Sequence, residues 1–146
     1  MHSNEIRQLL DEFSSHVDQL QAVLAAEKRA LVDRDVATLE STTEAKQQTC
    51  EALSNPSFNA PLKAAIESLE DQATRAGYLQ RYDSILTALQ QARDSNLVNG
   101  KLLARSQNSV REILNLLSGR RQDGLYSQSG QPKGDADGGG KSIAEA

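Results

Sequence analysis

Aromatic residues make up 3% of the 146 positions (three Tyr, two Phe, no Trp), so any core must be assembled from Leu, Ile, Val and Ala. That palette suits packed helices, because Leu and Ala are strong helix formers whereas strands draw on aromatic and β-branched side chains. Cysteine occurs once, at Cys50, so no internal disulfide forms and the fold does not depend on an oxidising compartment. Histidine occurs only at His2 and His16, which leaves few candidates for a metal or nucleophilic site. Glu12 and His16 lie one helical turn apart, but di-iron bundles need a Glu-x-x-His spacing on two helices, and here the spacing is wrong and the second copy is missing. No apolar run approaches the roughly 18 residues of a membrane span, and Glu5 stands where a signal peptide would carry Lys or Arg. The expectation is a soluble, cytoplasmic chain without membrane insertion. Basic residues are not in excess either: 16 Lys and Arg against 20 Asp and Glu give a net charge of -4, which argues against nucleic acid held through phosphate contacts.

The length suits one ordinary domain and excludes two independent enzyme domains. Charge is unevenly spread: residues 1–77 hold 7 basic and 13 acidic groups, while residues 78–146 hold 9 basic and 7 acidic ones. From Ser3 to Leu31, Leu10, Phe13, Val17, Leu20, Leu24 and Leu31 recur in steps of three and four, the signature of a helix with one buried stripe. Ser3 or Asn4 suits its N-cap. Asp33-Arg34-Asp35 marks a break. A second helix from about Asp35 to Leu53 repeats the spacing through Val36, Leu39, Thr43, Lys46, Cys50 and Leu53, which places Cys50 on the interior seam as a small core residue. Pro56 and Pro61 bracket a connection, and Pro61 suits the first turn of a third helix whose stripe, Leu62, Ile66, Leu69, Ala73 and Ala76, reaches a C-cap or bend at Gly77. A long helix then runs from Tyr78 to about Ser118. Its stripe Leu79, Tyr82, Leu86, Leu89 resumes at Leu103, Val110, Leu114 and Leu117 after a polar interval of Arg93, Asn96 and Gly100. At Asn99-Gly100 the helix is expected to bend or to meet a closely packed partner.

Residues 119–146 hold seven of the nine glycines and read as a flexible tail. Within it, Gly138-Gly139-Gly140-Lys141-Ser142 has a phosphate-loop flavour, but Asp135 stands where that pattern needs Gly, and no long helix follows. Leu125 and Tyr126 are the large apolar residues of a region that otherwise cannot pack. Glu27 is the one charge inside the first stripe, and burial of an unpaired carboxylate would demand a partner. Two readings apply: the stripe has reached a watered bundle end, which is the simpler one, or a specific pair is buried. The fold class is therefore all-α, an antiparallel helical bundle or coiled-coil-like hairpins with one long C-terminal helix and a flexible C-terminal tail. Residues 1–118 form the helical domain and 119–146 the tail. No pair of titratable residues recurs at a spacing that would build a catalytic site, so neither catalysis nor a cofactor or metal is expected.

Several stretches together resemble the FlgN family, cytoplasmic flagellar export chaperones that escort the two hook-filament junction proteins. Leu24-Ala25-Ala26-Glu27-Lys28-Arg29-Ala30-Leu31, followed by Asp35, Leu39, Lys46 and Leu53, is similar to the family's N-terminal pattern. Asn96-Leu97-Val98-Asn99-Gly100-Lys101-Leu102-Leu103 is similar to its Asn-x-x-Asn-Gly-x-Leu-Leu element, and Leu125-Tyr126-Ser127-Gln128-Ser129-Gly130-Gln131 to a segment of form Tyr-Gly-x-x-Gly, with Ser127 in place of the Gly after Tyr. The resemblance implies that the late part of the long helix and the tail bind the amphipathic C-terminal helices of the junction proteins, with Leu103, Val110, Ile113, Leu114 and Leu117 as the apolar face. It also implies that Leu125 and Tyr126 dock on the cytoplasmic domain of the export gate. The competing reading from the residues alone is a structural coiled coil or tether that self-associates weakly through the same long helix.

Overall fold

The computed structural model describes residues 1–122, with side chains as far as Leu117. Helix α1 spans Ser3–Asp33, α2 Val36–Leu53, a 3-10 turn Pro56–Phe58, α3 Ala60–Glu67 and α4 Gln72–Gln122. There is no strand among the described residues, and the chain divides into two units, Met1–Leu102 and Leu103–Ala146.

Within the first unit α1 is the central element. Its stripe is buried at Ile6, Leu10, Phe13, Val17, Leu20, Leu24, Glu27 and Ala30. The helix starts with His2 as its N-cap and without a side-chain cap, so neither Ser3 nor Asn4 plays that part. Arg34 closes it in the left-handed conformation, φ 58°, with its N–H on the Ala30 carbonyl, and the chain reverses at once into α2. Further along, α4 runs beside α1 in the same direction: Ser3 meets Tyr78, Asp11 meets Arg81, Gln21 donates to the Ala88 carbonyl and Asn99 donates to that of Leu24. Consecutive long helices are thus antiparallel, which leaves the first and last parallel.

Two layers of apolar packing hold this unit. In the larger one, Ile6, Leu10, Phe13 and Val17 of α1 join Phe58, Leu62 and Ile66 and the α4 residues Tyr82 and Ile85. Phe13 and Phe58 stack with centroids 4.9 Å apart, and the Tyr82 hydroxyl donates to the Phe58 carbonyl at 3.2 Å. Burial pushes the Tyr82 phenol above its usual range, and the Asp83 carboxylate adds to the effect. The second layer gathers Leu20, Leu24 and Ala92, with Leu53 and Leu89 against them.

Three expectations are corrected here. The third helix ends at Glu67 rather than at Gly77, and Ala73, Ala76 and Gly77 lie inside α4. The cause is a cap. In Asp71-Gln72-Ala73-Thr74 the Asp71 carboxylate accepts from the Thr74 backbone N–H at 2.9 Å and from its hydroxyl. The same device opens α2 at Asp35-Val36-Ala37-Thr38, with 3.1 Å to the Thr38 N–H and 2.6 Å to its hydroxyl. A helix N-terminus leaves N–H groups free, and each Asp satisfies one. Second, Cys50 is exposed, as is Thr43; the inward positions of α2 are Thr42 and Thr49. Their hydroxyls donate back to the Leu39 and Ala45 carbonyls at 3.0 and 2.8 Å, so what they offer the core is a methyl group. Third, the α4 seam passes through Tyr82, Ile85, Ala92 and Asn99, one position off the expected line, and Leu86 is exposed. A Cβ built on Gly100 would meet nothing within 4 Å, so no closely packed partner lies there among the described residues.

Two outcomes follow. Phe58→Ala, which removes one half of the aromatic stack from a fully packed site, is expected to cost about 3–5 kcal/mol in urea unfolding followed by circular dichroism. Hydrogen bonds from the Thr38 and Thr74 hydroxyls and N–H groups hold the Asp35 and Asp71 carboxyls below their ordinary value of 3.8. Their contribution to stability is complete above that value and fades as pH falls below it towards the lowered native value. An Asp35→Asn/Asp71→Asn variant keeps the acceptors but not the titration, and its stability should vary less with pH in that acid window.

Candidate functional site

Along α4 beyond Leu102, the face singled out in the sequence lies open. Leu103, Val110, Ile113, Leu114 and Leu117 are all exposed, between 44% and 57% of their surface. Residues seven apart on a helix share a line, so Leu103, Val110 and Leu117 form a row, with Leu114 on one side and Ile113 on the other. Leu116, 67% exposed, extends the row and was missed because it stands off the heptad line. Isolated exposed Leu residues are ordinary, but a contiguous apolar row marks a surface that another molecule covers. Leu125 and Tyr126 lie outside the described residues.

The first unit holds a second cluster, buried and polar. Glu27 is 7% exposed and is no watered bundle end. The Lys46 ammonium of α2 donates to both of its oxygens, at 3.1 and 3.0 Å, and also to Asn96 Oδ1 at 2.8 Å. From α4, Asn99 Nδ2 donates to Glu27 Oε1 and to the Leu24 carbonyl, each at 2.9 Å. One carboxylate therefore takes hydrogen bonds from two other helices. A signal for the pair was present: Leu20 packs with Leu53 across the α1–α2 hairpin, and residues equally displaced towards the turn from these two are Glu27 and Lys46. Asn99 carried no such signal, because Gly100 beside it reads as a break. The cluster has no chemistry of its own. Its donors are committed, no group of His, Cys, Asp and Glu among the described residues is arranged to hold a metal, and no described helix is long and apolar enough to cross a membrane.

The model of the FlgN protein family matches residues 1–134. The chain belongs to the FlgN family. Searches of curated proteins and of solved structures return no match. FlgN proteins are flagellar export chaperones, a family of binding proteins and not of enzymes. Membership gives the two clusters different meanings. Glu27, Lys46, Asn96 and Asn99 all stand in the stretches that carry the FlgN likeness, and they converge on one polar contact that joins three helices. The open row from Leu103 to Leu117 is instead the surface on which a chaperone would work.

Removing one partner of a buried pair leaves the other charged and unsolvated, so Lys46→Met is expected to destabilise the protein by about 3 kcal/mol in chemical denaturation. Replacing Glu27, Lys46 and Asn99 together by Leu should recover most of that loss; a triple variant as unstable as Lys46→Met would show that the cost lies in packing and not in the stranded carboxylate.

Proposed function

We propose that this chain is a cytoplasmic export chaperone that binds the C-terminal helices of the hook-filament junction proteins, prevents their premature assembly and delivers them to the flagellar export apparatus. FlgN membership supports the general role, and the observation that carries the specific reading is the open apolar row of α4. An amphipathic helix laid along it would remove several large side chains from water, at about 25 cal/mol for each Å² of apolar surface buried. The same contact would cover the client's own apolar face, which is what keeps such a helix from associating too early. Residues 119–146 act as a tail that orders on its partner, and an order-on-binding segment keeps a tight complex releasable. In the tail, Leu125 and Tyr126 anchor the chaperone to the cytoplasmic domain of the export gate, where an aromatic side chain in a pocket supplies most of the binding energy of a small contact.

Size-exclusion chromatography with light scattering, on the full chain mixed with the C-terminal segment of a junction protein, should give a discrete complex, weakened when residues 119–146 are removed. Leu114→Lys/Leu117→Lys should abolish the complex and leave far-UV circular dichroism unchanged, since both positions are exposed. Self-association of the free chain through the same row, with no complex formed, would favour a structural tether instead.

A further inference from the structure

The open row of α4 is bordered by positive charge on both edges. Arg105 stands eleven residues, three helical turns, before Leu116 and so lies on that side of the row; Arg111 stands three residues before Leu114 and lies on the opposite side. Both arginines are exposed. From Leu103 to Gln122 the sequence holds Arg105, Arg111, Arg120 and Arg121 against the single acid Glu112, within a chain whose total charge is -4. A stretch this basic in an acidic chain selects among the helices that could cover it.

A second copy of the same segment is the wrong occupant. Packed parallel or antiparallel over the row, it would bring arginine edges against arginine edges, and like charges along the borders of a helix pair disfavour that pairing. We propose that the row takes an amphipathic helix whose apolar stripe is flanked by Asp and Glu, with Arg105 and Arg111 reading the two acidic borders. The proposal rests on the reading of this segment as the client surface and adds what the client must look like. Guanidinium groups suit the task, since each presents a planar fork to a carboxylate. Charges at the rim of an interface act mainly on encounter rate and on the choice between partners, while the apolar centre holds the complex.

The test uses the full chain and two synthetic helical peptides with the same Leu stripe, one bordered by Glu and one by Lys, followed by fluorescence anisotropy. The Glu-bordered peptide should bind about tenfold more tightly at low ionic strength, with the difference shrinking at about 0.5 M salt as the Debye length falls. Arg105→Glu/Arg111→Glu should reverse the preference, and Arg105→Gln/Arg111→Gln should erase it without reversal; both variants alter exposed positions, and far-UV circular dichroism checks their fold. Equal binding of the two peptides, with a junction-protein C-terminal segment still captured, would overturn the charge selection and leave the client surface standing. Failure of both peptides and of that segment would remove the client surface and the proposal with it. A chain that is dimeric in light scattering and becomes monomeric as Leu114→Lys/Leu117→Lys would make a second copy the occupant. Peptide binding that appears only after removal of residues 119–146 would make it the chain's own tail. Either result overturns the proposal.

Discussion

A carboxylate that is nearly shut off from water sets the terms for the first unit of this protein. Glu27 sits on the one face of α1 that is otherwise apolar, and such a charge is stable there only if donors reach it with good geometry. The donors come from two different helices: Lys46 from α2 and Asn99 from α4. Apolar side chains tolerate sliding, because one Leu can replace another against the same surface. A carboxylate held by an ammonium and an amide does not, since a shift of α2 or α4 by one residue would strand a charge. A lone polar contact inside a helical seam is a known means of fixing register. Here it stops the stripes of α1, α2 and α4 from pairing one residue out of step.

That constraint also explains which parts of the fold could be read from the sequence. Leu10, Phe13, Val17, Leu20 and Leu24 announce α1 by period alone, and Arg34 with its acidic neighbours announces the reversal after it. The stripe of α2 is nearly featureless by hydropathy, so its register could not be chosen between Thr42 and Thr43 or between Thr49 and Cys50. The choice is made by Lys46, whose partner lies on another helix. The start of α4 was hidden for a different reason. Ala73 and Ala76 continue the apolar spacing of α3, and only hydrogen bonding at Asp71, invisible to a hydropathy pattern, ends one helix and begins the next. Recognising that Asp35-Val36-Ala37-Thr38 recurs as Asp71-Gln72-Ala73-Thr74 would have supplied the missing boundary.

The surface residues were legible in part. Leu103, Val110, Ile113, Leu114 and Leu117 were picked out as an apolar face, yet period gives a face without saying whether another helix of the chain covers it. Their exposure comes from the structure. Leu116 and the bordering arginines escaped notice because heptad reading looks along one line and ignores its edges.

The two halves of the Glu27 contact differ in how much chain they enclose. Lys46 is 19 residues from Glu27, whereas Asn99 is 72 residues away. Closing the longer loop costs more chain entropy, though the cost grows only with the logarithm of length. During synthesis the difference is larger than that, because at about 5–20 residues per second Asn99 emerges several seconds after Lys46. The α1–α2 hairpin therefore waits as a two-helix intermediate with Leu20 and Leu24 uncovered and one oxygen of Glu27 short of a donor. Arrival of α4 covers the leucines and completes the carboxylate in the same step, which makes the last event of folding cooperative across the hairpin.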